Sequence, residues 1–205
     1  MRVGWGIAAC VATMVAGCGG AAAPAVLRGE PSGYLLAIDQ MVSPDFTLDT
    51  PPHTLNPAGI AAGFLAGAGE EFFRAAGTLA DANGPLQVDD TVEEFSSPSG
   101  AAAVYGADVA RLNALPGATA VSTGALGDAA HATTRTATSP DGSVAVEFTV
   151  EWRVDNLLDV LVVRGRNGGT RLDDALLLAH RQTITELGLS TTIPSPTSTP
   201  ASLTP

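Results

Sequence analysis

The 205-residue chain contains no lysine. Its ten basic residues are all arginine and stand against 21 acidic ones, for a net charge of −11. A protein this acidic repels phosphate backbones and anionic headgroups, which argues against a nucleic-acid role. Arginine used throughout in place of lysine fits the codon bias of a high-GC genome. Cysteine is nearly as scarce, with only Cys10 and Cys18, both near the start. The rest of the chain therefore offers no disulfide, thiol nucleophile or thiolate metal ligand, and a folded domain has to be held by its core alone. The three histidines, His53, His131 and His180, have no i, i+4 or similar metal-ligand spacing, so no metal site is expected. There is no G-x-S-x-G, and Ser122 and Ser143 lack an evident His/Asp frame. Residues 165–169 have neither the spacing nor the lysine of a P-loop, and no cofactor motif stands elsewhere.

What the chain does have is an N-terminal address. Arg2 precedes fifteen residues, 3–17, with no charged side chain. That is the length of a signal-peptide apolar region and short for a bilayer span. The run ends in Val15-Ala16-Gly17-Cys18, which resembles the lipobox of bacterial lipoprotein precursors. The resemblance implies removal of residues 1–17, a diacylglyceryl thioether on Cys18 and attachment to the outer face of a membrane. More than one acyl chain makes such an anchor stable, at about 0.8 kcal/mol per buried CH₂.

Removing 17 residues leaves 188 and takes the charge to −12, enough chain for one domain. Residues 18–32, rich in Ala, Gly and Pro, read as a lipidated N-terminus and flexible spacer. Residues 190–205 are almost wholly Ser, Thr and Pro and read as a disordered tail. The domain is expected between them, at 33–189.

Within it, Val144, Val146, Phe148, Val150 and Trp152 alternate with Ala145, Glu147, Thr149, Glu151 and Arg153, a period of two that marks a half-buried strand. Asp141-Gly142 predicts a hairpin with 131–138, and Asp155-Asn156 a turn into a central strand over 157–166. A further strand is expected at 86–95. Ser97-Pro98 is an N-cap followed by proline at the first helical position, opening a helix to about 115. A helix over 172–187 reads as capped by Thr170, with Asp173 completing a capping box and Gly188 stopping it. Its inward stripe is expected to be Leu172, Ala175, Leu176, Ala179, Thr183 and Leu187. A third helix, Ala-rich but carrying Gly63, Gly67 and Gly69, is expected over 57–76. The sum is a single α+β domain, an antiparallel sheet with helices packed on one face.

The order of elements is similar to that of many small secreted lipoproteins of high-GC bacteria. It runs from residues 39–46 through a helix and a strand into Gly100-Ala101-Ala102, then Leu126-Gly127-Asp128-Ala129 and paired strands. That resemblance implies location and fold and carries no activity.

Two local clusters invite chemistry. Asp89, Asp90, Glu93 and Glu94 crowd one strand, but alternation splits them between two faces and no D-x-D-x-D-G calcium loop is present, so they read as solvated or edge-protecting acids. Arg164, Arg166 and Arg171 flank a Gly-Gly loop at a helix start, where arginine forks and a helix N-terminus could hold an anion; nearby acids offer ion pairing instead. The functional expectation is a membrane-anchored, exported, non-enzymatic binding or interaction module. Its partner would be an envelope lipid, a small ligand or a protein. An envelope hydrolase with dispersed residues, or a sensory or structural envelope component, is the alternative.

Overall fold

The computed structural model of the chain describes residues 29–56, 63–75, 82–138 and 142–188. The signal segment, Cys18, most of the spacer, the tail and Asp141 lie outside the described residues. Seven strands form one antiparallel sheet: β1 (Phe46–Thr54), β2 (Phe64–Arg74), β3 (Pro85–Phe95), β4 (Thr119–Val121), β5 (Ala129–Thr138), β6 (Val144–Val154) and β7 (Leu157–Arg166). Their order across the sheet is β1-β2-β3-β7-β6-β5-β4. Two helices complete the α+β fold, α1 (Pro98–Asn113) between β3 and β4, and α2 (Leu172–Glu186) after β7. Before β1, residues 31–41 form a strap containing two short 3-10 turns.

The meander β5-β6-β7 stands where its alternation placed it. Every residue from Ala129 to Thr138 has a partner in β6 without a register shift. Asp155 turns β6 into β7 with φ 52, the one described non-glycine residue in the left-handed region. Helix α1 starts as its sequence dictates, with the Ser97 side chain accepting from the Gly100 amide.

Three expectations are corrected. Residues 64–74 of the segment expected as a third helix form strand β2. Three glycines make a helix costly there, whereas in a strand they admit a neighbour: a Cβ on Gly67 or Gly69 would meet Leu55 at 3.2 Å. His53 lies in edge strand β1. Thr170 does not cap α2. Its hydroxyl donates to the Gly84 carbonyl at 2.9 Å, and the helix start is closed by Asp174, which accepts from the Arg171 amide. The buried stripe of α2 is Ala175, Leu178, Ala179, Gln182, Thr183 and Glu186, while Leu187 is half exposed.

The helices also do not share a face. Residues Val146, Phe148, Val150 and Trp152 pack with Ala175, Leu178 and Ala179 of α2. The intervening Glu151 faces Asp108 and Arg111 of α1, and its β5 neighbour His131 reaches Asn113 at the end of α1. Alternation puts those two sets on opposite sides. Helix α2 and the strap cover one face, and α1 covers the other.

Candidate functional site

The strand register assembles an acidic row on the α2 face. Glu70 of β2 stands opposite Asp90 of β3. Val92 of β3 stands opposite Asp159 of β7, and Asp159 opposite Trp152 of β6. From above, α2 adds Gln182 and Glu186 through the same stripe that buries Ala175 and Ala179. The strap closes one end, where the Leu36 amide donates to Asp90 Oδ2 at 2.8 Å. The strap is itself tied to α2, because Arg181 donates to the Gln40 and Met41 carbonyls and Gln40 to Thr185 Oγ1 at 3.2 Å.

These polar groups are inside the protein. Asp90, Asp159 and Gln182 have no exposed surface, and Glu70 and Glu186 have 4%. Among the described residues, Glu70 Oε1, Asp90 Oδ1, both carboxyl oxygens of Asp159 and Glu186, both amide atoms of Gln182 and Trp152 Nε1 lack a hydrogen bond of good geometry. Several of them are nonetheless close enough to act on one another: Gln182 on Asp90, Glu186 on Asp159, and Trp152 on Glu186. Burying an unpaired carboxylate costs far more than burying a carboxylic acid, so the row holds protons. Desolvation raises Asp90 to about 7 against the pull of the Leu36 amide and Gln182. Desolvation and the neighbouring Asp90 raise Glu70 to about 8. Glu186 rises to about 7, mainly by desolvation, and Asp159 is raised well above its ordinary value by desolvation and by Glu186 beside it. The row can therefore donate and accept hydrogen bonds as neutral acid, or present negative charge once a proton leaves.

The other face carries a smaller version. Glu151 lies fully buried, both its oxygens lack a good hydrogen bond, and desolvation with Asp108 raises it to about 8.

The arginines singled out in the sequence separate. Arg164 donates to Glu147 Oε2 at 2.7 Å and to Asp89 Oδ2, and Arg135 holds the other Glu147 oxygen. Arg164 borders a cleft with Arg135, whereas Arg171 borders another with Asn83 and Gly84; Arg166 is exposed. Ion pairing thus occupies the Arg164 fork. Burial pushes the Glu147 carboxyl up, but hydrogen bonds from Arg135 and Arg164 outweigh it and hold the group below its ordinary value. Of the histidines, His131 pairs with Asn113 Oδ1 at 3.0 Å, His53 lies beside the Pro51 carbonyl, and His180 is exposed. No group of three or more His, Cys, Asp or Glu among the described residues could hold a metal ion.

The acids of the β3 cluster do split between faces, but not into solvent: β3 is a central strand, Asp90 is fully buried and Glu94 is 7% exposed. Sequence reasoning passed over Asp159, Gln182 and Glu186. The signal was periodicity. Asp159 falls in the buried set Leu157, Leu161, Val163, and Gln182 and Glu186 follow Ala175 and Ala179 by seven residues.

No protein-family profile matches the sequence, and no curated protein matches it. Among solved structures, the fold is similar to the extracellular domain of PknH from Mycobacterium tuberculosis, with a TM-score of 0.56 at 12% identity. The match covers 77% of this chain and 94% of that one. At this identity the likeness is one of fold. No helix among the described residues is long and apolar enough to cross a membrane.

Proposed function

We propose that this chain is an exported lipoprotein whose domain binds a ligand at the outer face of the membrane, without catalysing a reaction. The observation that carries the binding reading is the buried row of Glu70, Asp90, Asp159, Gln182 and Glu186, most of whose polar side-chain atoms lack a good hydrogen bond, with a short strap closing one end. A domain selected for stability alone fills such a layer with apolar side chains. A polar interior next to a thin cover is what a binding domain needs to recognise polar atoms away from water. The Val15-Ala16-Gly17-Cys18 motif supports export and the lipid anchor. The shared fold with an extracellular domain agrees with a place outside the cell.

Two measurements test this reading. The mature protein should begin at Cys18 and carry the mass of the lipid, and Cys18→Ala should remove both the lipid and the association with membranes. An unlipidated chain beginning at any other residue would refute the anchor. For the domain, native-state hydrogen exchange should find the strap amides, including that of Leu36, opening on the order of a hundredfold more often than those of Val150 and Leu161 in the central strands. Strap amides that exchange only with global unfolding would show that the cover does not move, and the binding reading would fall.

A further inference from the structure

The strap does not lie flat on the sheet. Between it and β1–β2 runs an open groove of about 400 Å³, bordered by Leu35, Leu36, Ile38, Leu48 and Phe72, with Glu70 also on its wall. Its lining is mainly apolar, and two large aliphatic side chains there are unusually bare, Ile38 at 49% and Leu48 at 42% exposure. Glu70, by contrast, is 4% exposed and its Oε1 has no hydrogen-bond partner among the described residues. Among the described residues it is the only charged one bordering the groove. The two arginines with described contacts nearby are engaged elsewhere, Arg74 with the Asn83 carbonyl and the Phe46 ring, Arg181 with the Gln40 and Met41 carbonyls. Asp90 stands opposite Glu70 on β3, with Asp159 beyond it on β7 and Glu186 on α2.

Resting on the ligand-binding reading above, we propose that this groove binds a small cationic amphiphile, its aliphatic body along Leu35, Ile38, Leu48 and Phe72 and its ammonium-type head against the Glu70 carboxyl. The apolar walls draw the chain out of water. The head supplies what Glu70 lacks, a positive partner in a poorly solvated place, where an ion pair is stronger than in bulk water. An anionic head meets Glu70 and Asp90 with the wrong sign. A neutral head leaves the carboxyl without its charge partner.

Isothermal titration of the full chain with decyltrimethylammonium, kept below its micellar concentration, tests the assignment; decanoate and decyl maltoside carry similar tails with other heads. One-site binding of the quaternary amine is expected, at least tenfold tighter than either comparator. Glu70→Gln should weaken it tenfold or more while Glu70→Asp retains most of the affinity, and Ile38→Ser with Leu48→Ser should weaken all three probes alike. The quaternary head has no proton to lose, so its affinity should climb from pH 6 to pH 8 as the acids facing the groove ionise, namely Glu70 and, behind it, Asp90, Asp159 and Glu186, with Tyr34 on the strap titrating higher. Equal binding of decanoate, or an unaltered affinity in Glu70→Gln, overturns the assignment. If the amine fails to bind while the strap amides open locally, the ligand class is wrong and the binding domain stands. If the strap also opens only with global unfolding, both fall.

Discussion

The domain should be more stable at pH 5.5 than at pH 7.5, with a melting temperature higher by ~5 °C or more. In the unfolded chain its carboxyls ionise near pH 4. Folded, Asp90 and Glu186 hold their protons to about 7, and Glu70 and Glu151 to about 8. Between those limits the native state binds more protons than the unfolded state, so stability falls as pH rises. The contribution is complete below the unfolded values and is lost as pH climbs through the native ones. Glu147 works in the opposite sense: held low by Arg135 and Arg164, it favours the fold above its unfolded value and loses that effect in acid. Both effects turn over near the unfolded values, so stability is greatest at about pH 4 and falls from there as pH rises. Thermal melts across pH 4 to 8.5 check this, and the control is specific. Asp159→Asn with Glu186→Gln should flatten the slope between pH 5.5 and 8, whereas neutralising the exposed Asp45 and Asp49 should lower general charge repulsion and leave the slope in place. A wild-type curve that rises from pH 5.5 to 7.5 contradicts the buried-acid account.

Gly165→Ala should cost about 3–5 kcal/mol, from overpacking and a lost buried hydrogen bond, and lower the melting temperature by about 10 °C. Gly165 lies near the end of β7, and a Cβ there would clash with Thr170 Oγ1 and come within 3.0 Å of the Gly84 carbonyl. Thr170 is 3% exposed, and its hydroxyl already holds Gly84 O. Gly84 in turn donates its amide to the Gly169 carbonyl at 3.0 Å. The added methyl thus pries apart the point where β3 begins, β7 ends and α2 starts. A double-mutant cycle separates the two parts of the cost. Thr170→Ala removes the atom that clashes, so Gly165→Ala should cost less in that background than in the wild type. Full additivity of the two changes would mean that the clash is relieved in some other way.

Much of the fold was legible because its central elements obey simple periods. The alternation of β6 between Val146, Phe148, Val150, Trp152 and their polar neighbours announces a strand with two different faces, and β6 does separate α2 from Glu151 and α1. Ser97-Pro98 and Gly188 bracket the helices by conformational preference, and both helices form there. Strand β2 was illegible for a physical reason. Its glycines and alanines carry too little side chain to display a period, and its identity comes from what packs on it, Leu55 over Gly67 and Gly69. The acidic row was hidden differently. Each member is a polar residue at a core position by periodicity, yet the sequence reading left Glu186 off the inward stripe of α2 and gave Asp159 no place in the core. Such conflicts between local preference and place are where functional sites tend to stand, and here three strands and a helix contribute one carboxyl each.

The two outer strands also bear on how a protein partner could engage this domain. Strand β1 carries adjacent prolines, Pro51 and Pro52, and its pairing with β2 slips twice, between Leu48 and Thr50 and between Thr50 and His53. At the opposite edge β4 is three residues long. Proline has no amide hydrogen to donate, and a slipped register misaligns the free groups that remain. Neither border therefore offers a long regular ladder for an incoming chain to extend. Two copies crowded together do not zip edge to edge, and recognition of the domain by another protein falls to its loops, its helices and the strap.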